Sequence, residues 1–261
     1  MEIVLNGKKA LVGGSTSGIG KAIAMQLAAS GASVTLMSRS QEKLEAVREE
    51  LSTDQGQQHQ ILVVDFTDFE SYKKLISEFF KSNTVDILVN NTQGPAAGTA
   101  LEKEVSDYQQ AFDLLFKTVV LTTELALEAM RKNKWGRIIN VASVSVKEPL
   151  SYLVLSNSIR AAVVTWAKSL ATEVGKDQIT VNSILTGYFD TERITSLNAK
   201  KAQEQNISED EVLKKMEAKV PVRRIGKPEE YGYLVSFLAS EQAAYITGTQ
   251  IPIDGGLLSS L

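Results

Sequence analysis

The chain has 261 residues, of which 43% are hydrophobic and 23% charged, a composition typical of a soluble globular protein with one large α/β domain. A net charge of −3 and a pI near 5.5 argue against a nucleic-acid partner, and the absence of cysteine excludes disulfides, thiolate nucleophiles and Cys-ligated metals. The chain has a single histidine, His59, which is expected at the surface, so a His-rich zinc site is ruled out and no bound metal is expected. No apolar run fits a secretory signal or a bilayer-spanning segment. We therefore expect a cytoplasmic protein without membrane partners.

Short apolar runs alternate with longer helical patterns along the whole chain. The runs are rich in Val, Ile and Leu and predict strands buried on both faces: 9–13, 33–37, 61–65, 86–90, 137–141, 180–184 and 250–254. The intervening segments predict helices: 19–29, 42–51, 68–81, 103–132, 152–174 and 228–239. Such alternation predicts a parallel sheet with helices on both faces, in one doubly wound α/β domain spanning residues 1–261.

One segment interrupts this alternation. Residues 191–220 are charged and helix-favouring, and they are inserted between the sixth predicted strand and Pro221. Segments that leave the carboxyl ends of strands line the ligand crevice in doubly wound folds. We therefore expect a lid on the substrate side; the alternative is a solvated helical excursion that contacts nothing.

A glycine-rich turn joins the first predicted strand to the first helix. A helix N-terminus presents free N–H groups and partial positive charge to an anion, and glycines let the backbone approach a pyrophosphate. The spacing is G-x-x-x-G-x-G, and Ala22 stands where a Walker A loop needs Ser or Thr. The alternative is a tight turn without a ligand. The sequence predicts dinucleotide binding by seven consecutive residues: Gly14, Ser15, Thr16, Ser17, Gly18, Ile19 and Gly20.

Later segments match a known family in order and spacing. The matching stretches are Gly14-Ser-Thr-Ser-Gly-Ile-Gly20, Asp65, Asp86-Ile-Leu-Val-Asn-Asn91, Gly136-Arg-Ile-Ile-Asn-Val-Ala-Ser143, Ile179-Thr-Val-Asn182, Gly187, Gly226-Lys-Pro-Glu-Glu230, Ile246-Thr-Gly248 and Asp254-Gly-Gly256. The chain resembles the short-chain dehydrogenase/reductase family over nearly its whole length, and within it the 3-oxoacyl-[acyl-carrier-protein] reductase group. The resemblance implies a seven-stranded Rossmann-type domain, NAD(H) or NADP(H) as cofactor, a small carbonyl or acyl-thioester substrate, a place in fatty acid metabolism, and a homotetramer or homodimer.

The end of the second strand bears on the choice of cofactor. A carboxylate there would bind the ribose hydroxyls of NAD(H) and repel a 2′-phosphate. This chain has Ser38 and Arg39 instead, and the planar guanidinium of Arg39 suits a phosphate. NADP(H) is therefore favoured over NAD(H), the alternative being an exposed arginine at a strand end. The resemblance adds further cofactor-binding positions: Asp65 at the adenine amino group, Phe66 next to it, Asn91 along the adenosine ribose, Arg160 at a ribose, Gly187 at the nicotinamide end and Thr191 near the nicotinamide amide.

The catalytic pattern of the family is mostly missing. The family uses Ser, Tyr, Lys and Asn, and of these the chain keeps only Ser143. Ser156 and Arg160 occupy the Tyr and Lys positions, and Leu115 occupies the Asn position. A serine hydroxyl is a far weaker acid than a phenol of pKa about 10, and an arginine does not release its proton at all. The usual proton path is therefore absent.

Three other residues could replace the missing groups. Tyr152 comes first, because Tyr152, Ser156 and Arg160 are four residues apart and would share one helix face; the alternative is an aromatic ring that packs on the lid. Tyr188 is the second candidate, and Lys147 could supply a charge unless it is a solvated loop lysine. The predicted catalytic residues are Ser143, Ser156, Arg160 and Tyr152.

Two functions from different classes fit these features. The first is an NADP(H)-dependent reductase of a carbonyl compound with a non-standard proton donor. The second is an NADP(H)-binding protein with little catalysis that serves as a sensor or partner subunit. Two smaller departures are Thr92-Gln93, where the family has Ala-Gly, and Thr186, where it has Pro. Gln93 is expected to narrow the crevice.

Overall fold

Seven strands form one parallel sheet in the described residues 2–260 of the computed structural model. The strands are β1 (Lys9–Gly13), β2 (Ser33–Ser38), β3 (Gln60–Val63), β4 (Ile87–Asn90), β5 (Gly136–Val141), β6 (Ile179–Thr186) and β7 (Gln250–Ile253). Their order is β3-β2-β1-β4-β5-β6-β7, and every neighbouring pair is parallel. The predicted doubly wound α/β fold is confirmed. Its strand order reverses between β1 and β4, where such folds open a ligand crevice.

Helices cover both faces of the sheet. They are α1 (Gly18–Ala29), α2 (Gln41–Glu50), α3 (Phe69–Ser82), α4 (Val105–Phe112), α5 (Thr118–Asn133), α6 (Val154–Val174), α7 (Glu192–Gln205), α8 (Glu209–Lys219) and α9 (Pro228–Ala239). Side chains of β1 alternate between the faces, as a strand requires. Val12 packs with Ile23 of α1 and Tyr231 of α9, whereas Leu11 packs with Ile76 of α3 on the opposite face. Both faces of the sheet are therefore buried, which explains the continuous apolar runs.

The long helix predicted over 103–132 is not continuous. A π-helical segment, Asp113–Lys117, separates α4 from α5. Leu115 lies in this segment with 2% of its surface exposed, packed in the same apolar cluster as Leu155 and Ile159 of α6. A π-helical turn widens the helix locally, and no local sequence signal distinguishes it from an α-helical pattern.

Two predicted boundaries differ in ways that affect the site. Asp65, expected at the end of the third strand, lies beyond β3, which ends at Val63. The sixth helix, expected from residue 152, begins only at Val154, after a turn that contains Tyr152. Tyr152 is therefore outside the helix that carries Ser156 and Arg160.

The inserted segment folds as α7 and α8 and touches the body of the domain. Arg193 donates to the Pro95 carbonyl oxygen at 3.3 Å, and Lys201 donates to the Tyr152 hydroxyl at 3.1 Å. The alternative of a helical excursion without contacts is therefore wrong.

His59 is not the plain surface residue that was expected. It is half-buried, its Nδ1 accepts from the Val34 N–H at 3.1 Å, and its Nε2 lies 2.8 Å from the Ser52 carbonyl oxygen. Because Nδ1 accepts, Nε2 carries the proton and donates, so the ring connects β2 to the loop after α2. Across residues 2–260 there is also no helix with the length and apolarity that a bilayer crossing demands.

Candidate cofactor cleft and active site

A cleft of about 710 Å³ opens at the carboxyl ends of β1, β2, β4, β5 and β6. It brings together nearly all the residues predicted from the sequence to bind a cofactor. These lining residues are Gly14, Thr16, Ser17, Gly18, Ile19, Gly20, Ser38, Arg39, Asp65, Phe66, Asn91, Arg160, Gly187 and Thr191. Of the predicted catalytic residues, Ser143, Ser156 and Arg160 line the cleft.

The turn between β1 and α1 needs its glycines. Gly14 has φ +56°, and a Cβ on Gly20 would lie 2.1 Å from the Gly14 carbonyl oxygen. Asn91 extends from the end of β4 and donates through Nδ2 to the Gly13 carbonyl oxygen at 2.9 Å. Ser17, the N-cap of α1, makes no side-chain capping hydrogen bond. The first turn of α1 thus keeps N–H groups for an outside acceptor, next to a backbone that lets a pyrophosphate come close.

Ser15 does not line the cleft, unlike its neighbours in the turn. It is fully buried, and its Oγ accepts from the Met37 N–H at 2.9 Å. Its hydroxyl ties the glycine-rich turn to β2, because a buried N–H needs an acceptor. The prediction that Ser15 binds the cofactor is corrected: the residue shapes the turn from behind.

The adenosine end of the cleft carries Arg39, whose charge reaches Asp65, an acidic residue that also lines the cleft. Arg39 is exposed and donates through Nη2 to Gln93 Oε1 at 3.2 Å. None of the salt bridges in the described part of the chain involves Arg39. Ser38 lies beside it, with its Oγ 3.4 Å from Thr16 Oγ1. The Arg39 guanidinium hydrogen-bonds to the neutral Gln93 amide and forms no salt bridge with the described residues, so it can bind an anion. Arg39 and Ser38 therefore suit the 2′-phosphate of NADP(H).

Asp65 keeps one oxygen for a ligand. The hydroxyl of Thr67 (2.7 Å) and its backbone N–H (2.9 Å) both donate to Oδ1 and hold the pKa of Asp65 below its usual range. The carboxylate therefore stays ionised at neutral pH, with Oδ2 left as an acceptor, as the amino group of an adenine requires. Phe66 also lines the cleft at this end, and its buried ring packs against Tyr72 with the ring centroids 5.2 Å apart.

Ser143 follows β5 and stands at the reacting end of the cleft. Its Oγ accepts from the Ser145 N–H at 3.1 Å and caps a short 3₁₀ turn, Val144–Val146. A hydroxyl has one hydrogen to donate, and this bond leaves it available. Ser143 can therefore donate to an oxygen bound in the cleft.

Ser156 and Arg160 form a pair on α6. Arg160 Nε donates to Ser156 Oγ at 3.3 Å, and its Nη1 donates to the carbonyl oxygen of Val141 at the end of β5. Burial lowers the pKa of Arg160, an effect that Tyr231 opposes and Arg193 adds to. An arginine stays protonated even so. The cleft thus holds a half-buried positive charge next to a serine hydroxyl whose hydrogen remains free.

The two candidate tyrosines lie outside the cleft. Tyr152 accepts from Lys201 through its hydroxyl, and the Lys201 ammonium is 4.4 Å from the ring centroid. The expected face shared by Tyr152, Ser156 and Arg160 is wrong, because Tyr152 precedes α6; packing on the inserted helices is what the structure shows. Tyr152 and Tyr188 both line a second cavity next to the cleft, and burial raises the pKa of Tyr188. Lys147 follows the 3₁₀ turn and does not line the cleft.

Sequence reasoning missed part of the lining. Thr186 was noted only as a departure from Pro, yet it faces the cleft, and its Oγ1 is 3.0 Å from the buried Tyr231 hydroxyl. Burial raises the pKa of Tyr231, so its phenol stays protonated. Thr92 was likewise noted only as a departure from the family, and Glu192, Arg193, Ile194 and Leu197 lie on α7 in the segment that was expected to form a lid. The lining residues that were missed are Gly94, Pro95, Val141, Ala142, Leu153 and Phe189. Position after a strand was the available signal for four of them, Gly94, Pro95, Ala142 and Phe189. In residues 2–260 no group of three or more His, Cys, Asp or Glu side chains is placed to hold a metal ion.

Known proteins resemble this chain over its full length. The family described as "Enoyl-(Acyl carrier protein) reductase" matches residues 14–258. The 3-oxoacyl-[acyl-carrier-protein] reductase FabG of Aquifex aeolicus is 33% identical over 98% of this chain and 100% of its own. The NADPH-dependent reductase BacG of Bacillus subtilis is 30% identical over 97% of this chain and 99% of its own.

The structural similarity agrees with this. The L-sorbose reductase of Gluconobacter frateurii, solved with NADPH and L-sorbose, superimposes with a TM-score of 0.92 at 31% identity, covering 100% of both chains. The relatives are oxidoreductases, and several were solved with NADPH or NADP bound. A glycine-rich turn at the β1–β4 crevice, the strand order and these similarities agree: the chain belongs to the short-chain dehydrogenase/reductase family.

Proposed function

We propose that the protein is an NADP(H)-dependent reductase of a small carbonyl compound or acyl thioester, a 3-oxoacyl thioester being the class that its FabG relatives suggest. One observation carries the proposal. A single cleft lies at one edge of the sheet and brings together the nucleotide-binding turn, Arg39, and the group formed by Ser143, Ser156 and Arg160. Coenzyme and carbonyl oxygen would therefore meet within one crevice.

Each part of the cofactor would be held by a different group of residues. The 14–20 turn and the first turn of α1 suit the pyrophosphate, Ser38 and Arg39 the 2′-phosphate, and Asp65 the adenine amino group. When bound, NADPH supplies the hydride. The end of β2 carries Ser38 and Arg39 and no carboxylate, which supports NADP(H) over NAD(H). Fluorescence titration of the protein with each coenzyme measures the two affinities and tests this preference.

The serines and Arg160 would act on the carbonyl oxygen. The Ser143 and Ser156 hydroxyls each keep a hydrogen to donate, because protein N–H groups occupy their acceptor sides. Arg160 orients Ser156 and places positive charge where negative charge develops on that oxygen. Donors of this kind are worth roughly 10²- to 10³-fold in rate. With no phenol lining the cleft in the described residues, solvent water supplies the proton.

Steady-state assays test this function. Purified protein with NADPH and a panel of ketones and 3-oxoacyl thioesters is expected to consume NADPH with at least one of them. Replacement of Ser143 by Ala should then reduce kcat, since it removes one hydrogen-bond donor to the reacting oxygen. No turnover above buffer across the panel would overturn the proposal.

A second function has one observation in its favour. Leu115 fills the Asn position with buried apolar surface, and neither candidate tyrosine lines the cleft. An NADP(H)-binding protein with little catalysis, acting as a sensor or partner subunit, would have this appearance. NADPH binding without turnover, together with a partner recovered by pull-down, would favour it.

We also propose a homodimer or homotetramer, as the family resemblance implies. Apolar side chains are exposed on α4, where Val105 is 86% and Phe112 36% exposed. Phe112 stacks on Phe116 at 4.9 Å, and Phe116 meets Trp166 of α6 at 6.2 Å. Light scattering coupled to size-exclusion chromatography measures the mass, and a monomer would refute this part.

A further inference from the structure

A second cavity of about 730 Å³ adjoins the cofactor cleft. It lies between the inserted helices α7 and α8, the segment 97–102, Tyr152 and Tyr188. Leu197 of α7 lines both cavities, so the two adjoin at this residue. None of the cofactor roles described above uses the residues of this second cavity, apart from that shared leucine.

The lining of this cavity carries an excess of positive charge. Four lysines line it against two glutamates: Lys200, Lys201, Lys215 and Lys219 against Glu102 and Glu204. Both glutamates are already engaged. Glu204 lies 3.7 Å from the Lys200 ammonium, and Glu102 accepts from the Thr99 N–H at 2.8 Å. The Thr99 N–H leaves the negative charge of Glu102 in place, but among residues 2–260 neither glutamate forms a salt bridge with Lys201, Lys215 or Lys219.

Of the four lysines that line the cavity, Lys201 is half-buried and the other three are exposed. The Lys201 ammonium donates to the neutral Tyr152 hydroxyl at 3.1 Å while lying 4.4 Å from the ring centroid. No salt bridge found among residues 2–260 includes it. An ammonium has three hydrogens to donate, and desolvation makes an unpaired charge costly. Lys201 is therefore arranged to receive an anion.

The rest of the wall is apolar or aromatic. Val212 and Met216 of α8 are buried against the cavity, Leu197 stands at its junction with the cleft, and Tyr188 adds a ring. A ligand that satisfies both kinds of wall has an apolar body and a single anionic end.

We propose that this cavity holds the far end of the substrate, that the substrate is an oxo acid with an apolar body, and that Lys201 determines specificity by binding its carboxylate. This inference rests on the proposed carbonyl reductase function and names its substrate class. The carbonyl group lies at Ser143 and Ser156, and the carboxylate lies at Lys201, on the opposite side of Leu197. A neutral thioester would leave Lys201 without a counter-charge.

The test compares Lys201→Met with Lys214→Met on two matched sets of substrates. The sets are six-carbon oxo acids with the carbonyl at successive positions, and their methyl esters. The native protein is expected to prefer one acid to its ester. Lys201→Met should lower kcat/KM for that acid by about 10- to 100-fold, mainly through KM, as expected from the loss of one charge-assisted hydrogen bond. Its kcat/KM for the ester should stay within about threefold of native.

The control and the conservative variant complete the design. Lys214 of α8 is exposed, paired with Asp210 and outside the cavity lining, so Lys214→Met should leave the acid-to-ester ratio unchanged. Lys201→Arg keeps the charge and should restore most of the preference. Preference for the esters or for 3-oxoacyl thioesters in the native protein, or an unchanged ratio in Lys201→Met, would overturn the inference.

A binding measurement separates this inference from the proposed function. If the native protein reduces neither these compounds nor the panel of ketones and 3-oxoacyl thioesters, the reductase function fails, and calorimetric titration of the same oxo acids into NADP⁺-saturated protein still tests the cavity. Binding by the native protein that Lys201→Met loses supports carboxylate recognition. No binding by the native protein, or equal binding by a Lys201→Met variant whose thermal unfolding is unchanged, refutes it.

Discussion

The adenosine half and the reacting half of the cleft are built from different parts of the chain. In the adenosine half the part that would hold the pyrophosphate is backbone, namely the turn closed by Gly20 and the uncapped first turn of α1, and the side chains of Arg39 and Asp65 lie beside it. The reacting half depends on side chains, and we expect Ser156, Arg160 and Leu115 to stand there in place of the Tyr, Lys and Asn that the family resemblance implies. A backbone cradle needs only glycines and a helix end, whereas proton transfer needs particular functional groups. The first half can therefore persist while the second changes.

The largest effect is expected from Gly20→Ala. A Cβ at this position would lie 2.1 Å from the Gly14 carbonyl oxygen, so the turn must open and the pyrophosphate loses its cradle. We expect NADPH affinity to fall by about 100-fold or more in a fluorescence titration, the equivalent of roughly two lost charge-assisted hydrogen bonds. Gly175→Ala is the matched control, because nothing lies within 4 Å of a Cβ there. Undiminished affinity in Gly20→Ala would refute the backbone account.

Arg160→Met tests the reacting half directly. Loss of the cation removes the charge behind Ser156, and we expect kcat to fall by about 100-fold, in the range found for one oxyanion-stabilising donor. The NADPH affinity should change much less than kcat, and Arg160→Lys should recover part of the rate because it restores the charge. Single-turnover measurements with NADPH, supported by thermal unfolding of each variant, separate these effects. A loss of NADPH affinity with kcat unchanged would assign Arg160 to the coenzyme alone.

Arg39→Ala should sharpen the account of the adenosine half. The guanidinium donates to Gln93 and forms no salt bridge among the described residues, although its charge also acts on Asp65, so its removal should mainly weaken binding of the 2′-phosphate. We expect NADPH affinity to fall by about 10- to 100-fold, with NADH affinity unchanged. Arg48→Ala, an exposed arginine on α2, is the control and should change neither. A parallel loss for both coenzymes would contradict the assignment.

The smallest effect is expected from Tyr152→Phe. The Tyr152 hydroxyl accepts from Lys201 in the neighbouring cavity and does not line the cofactor cleft. We expect kcat for a neutral ketone to stay within about threefold of native, because a general acid would contribute at least 10²-fold. A drop of that larger size would place the phenol in the reaction and remove the contrast between the two halves.

Periodicity and the glycine-rich turn were sufficient to predict the sheet and the position of the cleft. The apolar runs reflect strands buried on both faces, and the end of each strand marks where a lining residue follows. Ser15 was misassigned because a serine inside a nucleotide-binding turn is the same in sequence whether its hydroxyl faces the ligand or, as here, the Met37 N–H.

The remaining errors concern contacts between distant segments. Tyr152 was placed on the helix face of Ser156 because four-residue spacing carries no information about where a helix begins. The break of the long helix at Asp113–Lys117 depends on packing against other helices, and the pairing of Thr186 with Tyr231 joins residues far apart in sequence. Only the folded chain reveals such partners.

Leu197 has a kinetic consequence. It belongs to the walls of both cavities and sits in the middle of α7, so an outward displacement of that helix opens the two compartments in one motion. If coenzyme and product leave through these two cavities, a substitution that slows the displacement of α7 would delay both departures together.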